Sequence, residues 1–257
     1  MGGALVAGIV GRGLRKAGDL IVTDIDGERL SELEKRWKVQ ISKDNEEAVD
    51  VADTVILAVK PQVIYGVLDQ IGEQLLPSKL LISIAAGISL SAIEGRLTHA
   101  TPVVRVMPNI AVTVGEGISA LCAGKHARPE HIQIAVDIFR SVGDVVTVEE
   151  EQIDVVTGLS GSGPAYVFTM IEALADGGVK LGLPRDVAQK LAVHTTLGAA
   201  KLAAQTGEHP AILKDKVSSP GGTTIAGLCQ LEAKGFRDAL ISAVEAATKR
   251  SRELGKR

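Results

Sequence analysis

Short aliphatic runs alternate with helical patterns through the first 149 residues, and this alternation restricts the fold more than any other feature of the chain. The runs of strand length cover residues 20–25, 53–59, 80–84, 103–106, 117–121 and 145–148. Segments between them, such as 28–37 and 63–76, have the periodicity of helices. Because strands that alternate with helices form βαβ units, we predict an α/β fold with a mainly parallel sheet.

From residue 150 onward, long helical patterns replace the runs of strand length. These patterns cover 152–181, with an interruption at 160–164, then 184–206, 223–234 and 236–254. Frequent alanine and glycine residues permit helices to approach closely. We therefore predict two domains, an α/β domain over 1–149 and an all-helical domain over 150–257. A helical domain of this kind often packs against a second copy of itself.

Composition argues against several classes of partner. A net charge of −3 gives no basic stripe for a phosphate backbone, and six aromatic residues offer little for base stacking, so nucleic acid is not expected. No apolar run reaches the roughly 18 residues of a membrane span, and Met1 begins no signal peptide pattern. We expect a soluble cytoplasmic protein. Cys122 and Cys229 lack metal-ligand spacing and are interpreted as buried or inert, so no metal site is predicted.

The stretch from Val217 to Ile225 is the strongest candidate for a site in the second half of the chain. Ser219, Pro220, Gly221, Gly222, Thr223 and Thr224 follow one another just ahead of an apolar helical run. Backbone amides and hydroxyls at the start of such a helix can hold a phosphate or a carboxylate. The same residues are equally typical of a turn followed by an N-capped helix, and spacing alone leaves both interpretations open.

Asp24 is a candidate for cofactor binding in the first half of the chain. An acid at the end of a strand in a parallel sheet can accept hydrogen bonds from an adenosine ribose, although it can also be a solvated strand end. The Gly-x-Gly-x-x-Gly turn that normally accompanies this acid is absent, and so is the strand that should precede the turn. Gly161-Ser162-Gly163 does not replace it, because a helical pattern precedes these residues and Pro164 follows them.

Five motifs taken together resemble one family. They are Ala58-Val59-Lys60-Pro61-Gln62, Arg105-Val106-Met107-Pro108-Asn109, Val114-Gly115-Glu116-Gly117, Leu159-Ser160-Gly161-Ser162-Gly163-Pro164-Ala165-Tyr166 and Ser219-Pro220-Gly221-Gly222-Thr223-Thr224. In this order, across essentially the whole chain, they are similar to pyrroline-5-carboxylate reductase. The resemblance implies hydride transfer from NADPH or NADH to the cyclic imine of pyrroline-5-carboxylate, which gives proline. It also implies a Rossmann domain, a helical domain that forms interlocked homodimers, and further assembly that is commonly a decamer.

The resemblance assigns roles to individual residues. It places Thr224 at the imine nitrogen, as proton donor or orienting hydrogen bond. It places Ser219, Gly221, Gly222 and Thr223 at the substrate carboxylate, with Ser162 and Gly163 facing nicotinamide and substrate. The positions that match its cofactor site are Gly2, Asp24, Asn45, Ala58, Val59, Lys60, Pro61, Met107 and Asn109. Asp24 favours the free 2′-hydroxyl of NADH over a 2′-phosphate.

The chain departs from the family pattern in two places. It begins at the last two positions of the Gly-x-Gly-Asn-Met-Gly turn, so the first strand and two glycines of the pattern are missing, and we expect the natural protein to carry about ten further residues upstream. Ile110-Ala111 replaces the usual Thr-Pro. Two alternatives remain: another imine reductase or hydroxyacid dehydrogenase of the same plan, or a non-catalytic oligomeric protein whose nucleotide site was lost with the strand.

Overall fold

The fold of this chain, given by a computed structural model that describes residues 1–255, begins with an α/β region and continues as helices. The strands are β1 Ile21–Thr23, β2 Gln40–Ser42, β3 Thr54–Leu57, β4 Leu80–Ser83, β5 Val103–Pro108, β6 Gly117–Ala123 and β7 Gly143–Thr147. The helices are α1 Gly2–Gly11, α2 Gly27–Trp37, α3 Asn45–Val51, α4 Ile64–Ile71, α5 Leu90–Glu94, α6 Pro129–Arg140, α7 Ile153–Val156, α8 Gly163–Lys180, α9 Arg185–Thr206, α10 Pro210–Lys216, α11 Thr223–Ala233 and α12 Phe236–Gly255.

The strands form two sheets. A five-stranded sheet has the order β3-β4-β5-β6-β7 and is parallel except between β5 and β6. A separate two-stranded parallel sheet contains β1 and β2. The mainly parallel sheet predicted from the sequence is therefore confirmed, although it is divided into two pieces.

The core of the α/β region lies on both faces of the larger sheet. Leu81 and Val103 face one buried cluster, which includes Ile64 and Leu68 of α4. Ile82 and Val104 face the other, which includes Leu5 of α1 and Phe139 of α6. Alternate residues of a strand point to opposite faces, so a strand covered on both sides becomes a continuous aliphatic run. The four residues of β4 are all buried for this reason.

Several elements differ from the sequence predictions. The first helix ends at Gly11, because Gly13 adopts a left-handed φ of 68° and its amide donates to the carbonyl of Val10. The expected interruption over 160–164 is present: a π-helical turn, Thr157–Gly161, continues α7, the helix breaks at Ser162, and α8 begins at Gly163. Four elements were not predicted: β2, α3, α5 and α6. β2 and α5 have three and five residues, which is too short for a periodic pattern.

The chain divides into two compact units. The first contains Met1–Ser162 and the end of α12 from Ala246 onward, and the second contains Gly163–Glu245. The second unit therefore consists of α8 to α11 and the first half of α12. Its helices α8 and α9 share a small buried cluster of Ala175, Ala188 and Ala192, as expected where small side chains let two helices approach closely. The predicted boundary between residues 149 and 150 stays a prediction.

Candidate active site

Most of the residues predicted to bind the cofactor lie at the carboxyl ends of parallel strands in the first unit. Asp24 follows β1, Ala58 follows β3, and Asn109 follows β5. In open α/β sheets this edge is where nucleotides bind, because loops from successive strands open a crevice there. The topology thus gathers, at equivalent positions of the two sheets, residues that are 85 positions apart in the sequence.

Gly2 lies at the start of α1, against the chain that leaves β3. A Cβ atom built on Gly2 would be 3.3 Å from the Cβ of Ala58, so a glycine keeps this approach close. Met1 precedes the helix and provides no side-chain cap for its amides. The start of a helix with uncapped amides carries partial positive charge and attracts anions. The structure therefore brings Gly2 and Ala58 together beside a site suited to a pyrophosphate.

Asp24 makes two contacts with its own chain. Its Oδ1 accepts a hydrogen bond from the amide of Asp26 at 3.0 Å, and its Oδ2 forms an ion pair with Arg29 Nη1 at 3.2 Å. The Asp24 side chain retains 25% exposure and that of Arg29 63%. Asp26 in turn caps α2 by accepting from the amides of Glu28 and Arg29. Two carboxylates and one guanidinium therefore surround the end of β1, and the pairing of Arg29 with Asp24 is a contact that spacing alone did not predict.

Lys60 and Pro61 shape the turn that follows β3. Pro61 occupies the first position of a short 3₁₀ helix, Pro61–Val63, and Lys60 precedes it with an extended backbone. Proline is favoured at this position because it has no amide hydrogen to leave unpaired. Lys60 is exposed and Val59 is half-buried. A cation is thus available at the edge of the sheet next to Ala58.

The two asparagines of the predicted cofactor site have defined partners. The Oδ1 of Asn109 accepts from the amide of Ala111 at 3.2 Å and from that of Ile118 at 3.4 Å, which fixes the chain after β5. Asn45 begins α3 and donates from Nδ2 to Gln70 Oε1 at 2.9 Å. Asn109 therefore shapes the loop at the sheet edge, whereas Asn45 joins α3 to α4.

The predicted substrate loop is a tight turn at the start of α11. The amide of Gly222 donates to the carbonyl of Ser219 at 3.1 Å, and Gly221 has a left-handed φ of 68°. A Cβ atom at Gly222 would collide with the hydroxyl of Ser219. No side chain among the described residues caps α11, whose first residues are Thr223 and Thr224.

The amides and hydroxyls of this turn have the properties of an anion site. Uncapped amides at the start of an eleven-residue helix carry partial positive charge. The residue at the cap position is Gly222, so the interpretation of the loop as a turn before an N-capped helix also fits the structure, and both interpretations stay predictions. The half-buried Thr224 lies within the first turn, where its hydroxyl can act beside a bound carboxylate.

Met107, Ser162 and Gly163 lie around the π-helical turn. The methyl group of Met107 would be 2.8 Å from a Cβ on Gly161, so Met107 packs directly against this turn. The amide of Ser162 closes it by donating to the carbonyl of Thr157 at 2.8 Å. Ser162 is the last residue of the first unit and Gly163 the first of the second. π-helical turns are rare and occur frequently at functional sites.

The cysteines differ from each other. Cys122 lies buried in β6, as the sequence interpretation allowed, whereas Cys229 is exposed on α11, so that its inertness stays a prediction. Burial raises the pKa of the Cys122 thiol to about 12, and the neighbouring Arg105 opposes that shift only in part. Within residues 1–255 no group of three or more histidine, cysteine or acidic side chains is placed to hold a metal ion.

Comparisons with known proteins relate both halves of the chain to characterised families. Residues 150–254 match the model described as pyrroline-5-carboxylate reductase dimerisation. Residues 1–87 match the model described as NADP oxidoreductase, coenzyme F420-dependent. The pyrroline-5-carboxylate reductase of Synechocystis sp. is 51% identical, and the alignment covers 100% of this chain and 96% of that protein. The chain belongs to the pyrroline-5-carboxylate reductase family.

Solved structures of this family share the fold. The pyrroline-5-carboxylate reductase of Coxiella burnetii superposes with a TM-score of 0.93 at 36% identity, covering 98% of this chain and 93% of that chain. The Plasmodium falciparum pyrroline carboxylate reductase, which has NADP bound, gives 0.87 at 35% identity, covering 99% of this chain and 94% of that one. A prephenate dehydrogenase from Aquifex aeolicus, at 15% identity and a TM-score of 0.54, shares the fold alone.

The family membership accounts for the second unit. Its helices leave large apolar side chains exposed in the isolated chain: Phe168, Leu174, Leu191, Leu197, Leu202, Ile225, Leu231 and Ile241. An exposed surface this apolar indicates a protein interface. The chain therefore carries a dimerisation domain, as predicted. No helix within residues 1–255 has the length and apolar character needed to cross a membrane.

Proposed function

We propose that this chain reduces the cyclic imine of pyrroline-5-carboxylate to L-proline, with a reduced nicotinamide cofactor as hydride donor. The observation that carries the proposal is the uncapped Ser219–Thr224 turn at the start of α11, in a chain that aligns along its whole length with pyrroline-5-carboxylate reductases. This would be the final step of proline biosynthesis. The sheet edge of the first unit is suited to the cofactor, and the turn before α11 in the second unit is suited to the substrate.

The cofactor would lie along the carboxyl edge of the strands. The start of α1 at Gly2 is suited to the pyrophosphate, and Asp24 to the adenosine ribose. The chain after β3, from Ala58 through Lys60, and the loop held by Asn109 are suited to the rest of the dinucleotide. The nicotinamide supplies the hydride, and the protein supplies orientation.

The substrate carboxylate would bind to the amides of Thr223 and Thr224, because the amide of Gly222 already closes the turn on Ser219. Hydride adds to the imine carbon and a proton is placed on the imine nitrogen, so the carbon–nitrogen double bond becomes a single bond while the cofactor is oxidised. A hydroxyl at the nitrogen, that of Thr224, orients the imine and can donate a hydrogen bond to it. No stronger acid is required, because an imine nitrogen can take its proton from water before hydride transfer.

The direct test measures the loss of reduced-nicotinamide absorbance with pyrroline-5-carboxylate, together with the appearance of proline. We expect one proline for each cofactor oxidised, and no reaction with a cyclic imine that lacks the carboxylate. Cofactor oxidation without proline, or equal rates with and without the carboxylate, would contradict the proposal.

We further propose that NADH is the preferred cofactor. The carboxylates of Asp24 and Asp26 lie together at the end of β1, where they would repel a 2′-phosphate, and Arg29 already pairs with Asp24. We expect Asp24→Ser to shift the ratio of kcat/KM for the two cofactors towards NADPH by about tenfold or more, equivalent to about 1.4 kcal/mol. Glu32→Gln, on the exposed part of α2, is the matched control and should leave the ratio unchanged. A wild-type preference for NADPH of tenfold would refute this proposal.

We propose a homodimer formed by the second unit, with assembly of dimers into a decamer. The exposed apolar side chains of α8 to α12 and the match of residues 150–254 to a dimerisation domain support the dimer. The native mass, measured across a dilution series, tests both the dimer and the decamer. A mass of one chain at every concentration would refute the dimer, and a mass of two chains would refute the decamer. Location in the cytoplasm stays a prediction from the sequence.

A further inference from the structure

The last turns of α12 belong to the first unit and pack against other elements of that unit. Thr248 and Ser251 are polar, yet they are only 8% and 7% exposed. The hydroxyl of Ser251 donates to Asp154 Oδ1 at 2.6 Å, which satisfies it in this buried position. Asp154 belongs to α7, so this hydrogen bond joins two elements that are 97 residues apart in the chain.

The same end of α12 lies against the loop that follows β4. A Cβ atom at Gly87 would be 4.0 Å from the Cβ of Leu254, and one at Gly255 would be 3.4 Å from the carbonyl oxygen of Gly87. Gly87 has a left-handed φ of 75°, which permits the loop to turn at this point. Ala85 and Ile88 of this loop share a buried cluster with Ile153 of α7. The loop is therefore held by α7 and by the end of α12.

This loop begins beside a predicted cofactor residue. The amide of Ile84 donates to the carbonyl of Leu57 at 3.1 Å, and Leu57 directly precedes Ala58. β4 lies between β3 and β5, whose carboxyl ends carry Ala58 and Asn109. A displacement of the loop after β4 would therefore change the shape of the edge at which nucleotides bind.

We propose that Ser251 and Asp154 are positioning residues for the cofactor site. Their hydrogen bond holds the end of α12 against the Gly87 turn and so fixes the loop after β4. Neither residue contacts the reacting atoms, and the effect acts on cofactor binding through the loop. This inference rests on the proposed function, because it takes the carboxyl edge of the sheet as the cofactor site.

The test compares Ser251→Ala and Asp154→Ala with two controls. Asp154→Asn keeps a carbonyl oxygen that can accept from Ser251, and Lys249→Ala removes an exposed side chain from the same turns of α12. Each variant is measured for the dissociation constant of the reduced cofactor without substrate, for kcat and both KM values, and for thermal unfolding. We expect Ser251→Ala and Asp154→Ala to raise the cofactor dissociation constant and KM about fivefold, the factor typical of one lost hydrogen bond.

The kinetic constants that do not depend on cofactor binding should stay near their wild-type values. The kcat and the KM for pyrroline-5-carboxylate should change less than twofold, and both control variants should match wild type. The double alanine variant should be no worse than either single variant, because both remove the same bond. Unchanged cofactor binding in a folded Ser251→Ala or Asp154→Ala protein, or effects that add in the double variant, would overturn the inference.

The binding measurement separates this inference from the proposed function. Wild-type protein that binds the cofactor but does not reduce pyrroline-5-carboxylate would refute the function, and the dissociation constants of the variants would still decide the role of Ser251. Wild-type protein that binds neither reduced cofactor would overturn both.

Discussion

At the scale of single residues, the role proposed for Thr224 depends on its position in a helix. It is the second residue of α11, next to amides that no side chain caps. A bound carboxylate would place the rest of the substrate within reach of its hydroxyl. The nearby glycines allow this turn, since Gly221 needs a left-handed φ and a Cβ atom at Gly222 would crowd the hydroxyl and the carbonyl of Ser219.

We expect Thr224→Ala to lower kcat/KM for pyrroline-5-carboxylate by about two orders of magnitude, within the range typical of proton transfer and orientation by one side chain. Cofactor affinity and oligomer mass should not change, because the turn and the helix remain. Thr224→Ser, which retains a hydroxyl, should recover most of the activity. Steady-state kinetics of the two variants measure the effect, and unchanged kinetics in Thr224→Ala would remove this residue from the mechanism.

Cys122 is a residue whose burial decides its chemistry. Its thiol has a pKa of about 12 against an ordinary value near 9, chiefly because burial disfavours the thiolate. The folded protein therefore binds more protons than the unfolded chain between these values. The contribution of Cys122 to stability is fully present below pH 9 and decreases as the pH rises towards 12.

In a Cys229→Ala variant, we expect the remaining thiol to resist alkylation at pH 8 to 9 and to react fully once denaturant is added. The thiolate is the reactive form, and both burial and the raised pKa suppress it. Mass spectrometry of the alkylated protein measures the reaction. Labelling of native protein at the rate of a free thiol would show that Cys122 is accessible.

At the scale of elements, the segment after β7 is fixed to the sheet by one buried ion pair. Arg105 of β5 is 8% exposed in its side chain, and its Nη1 lies 2.9 Å from Glu150 Oε1. The same carboxylate oxygen accepts a hydrogen bond from the amide of Leu90 at 2.6 Å, so an amide in the first turn of α5 has a partner. Glu150 thereby joins the sheet, α5 and the short helix Glu150–Gln152 that leads into α7.

Removal of Glu150 should destabilise the first unit. We expect Glu150→Ala to cost about 2 to 3 kcal/mol in the free energy of unfolding, because the Arg105 guanidinium would stay buried without its partner. Glu151→Ala removes an exposed neighbouring carboxylate and should change stability by less than about 0.5 kcal/mol. Urea denaturation of both variants provides the comparison. Equal midpoints for wild type and Glu150→Ala would show that the pair contributes nothing.

At the scale of the whole molecule, the division of the sheet is the main structural feature. β1 pairs only with β2, and β3 is the terminal strand of the larger sheet. All three residues of β1 and the first three of β3 are partly exposed, whereas those of β4 are fully buried. Each strand therefore presents one row of backbone groups without a partner in a sheet.

A strand added between β1 and β3 should pair with the free backbone groups of both strands. We expect a chain extended at its N-terminus by a family-like strand and Gly-x-Gly turn to bind reduced nicotinamide at least tenfold more tightly and to unfold at a higher temperature. The added strand would satisfy backbone groups on both sides and would complete the pyrophosphate turn ahead of Gly2. Calorimetric titration of both chains measures the difference. Equal cofactor affinity would show that the site forms without the strand.

The sequence alone determined the class of fold, the helical second half and the family. Aliphatic runs of strand length reflect burial on both faces of a sheet, and this local pattern survives in the sequence. The loop of Ser219 to Thr224 was also recognisable, because glycine, proline and hydroxyl residues each have a specific backbone effect. Short elements such as β2 and α5 were not, since three to five residues carry no period.

Only the tertiary structure decided which distant residues meet. Three contacts join separate elements: Arg105 pairs with Glu150, Ser251 bonds to Asp154, and Gly2 approaches Ala58. No local pattern encodes such contacts, because they depend on how strands are ordered and where helices return. The π-helical turn before Ser162 also depends on a long-range contact, because Met107 of β5 packs on Gly161 within this turn. Local sequence patterns therefore predict individual helices, strands and turns, whereas long-range packing decides which of the predicted cofactor residues lie close together.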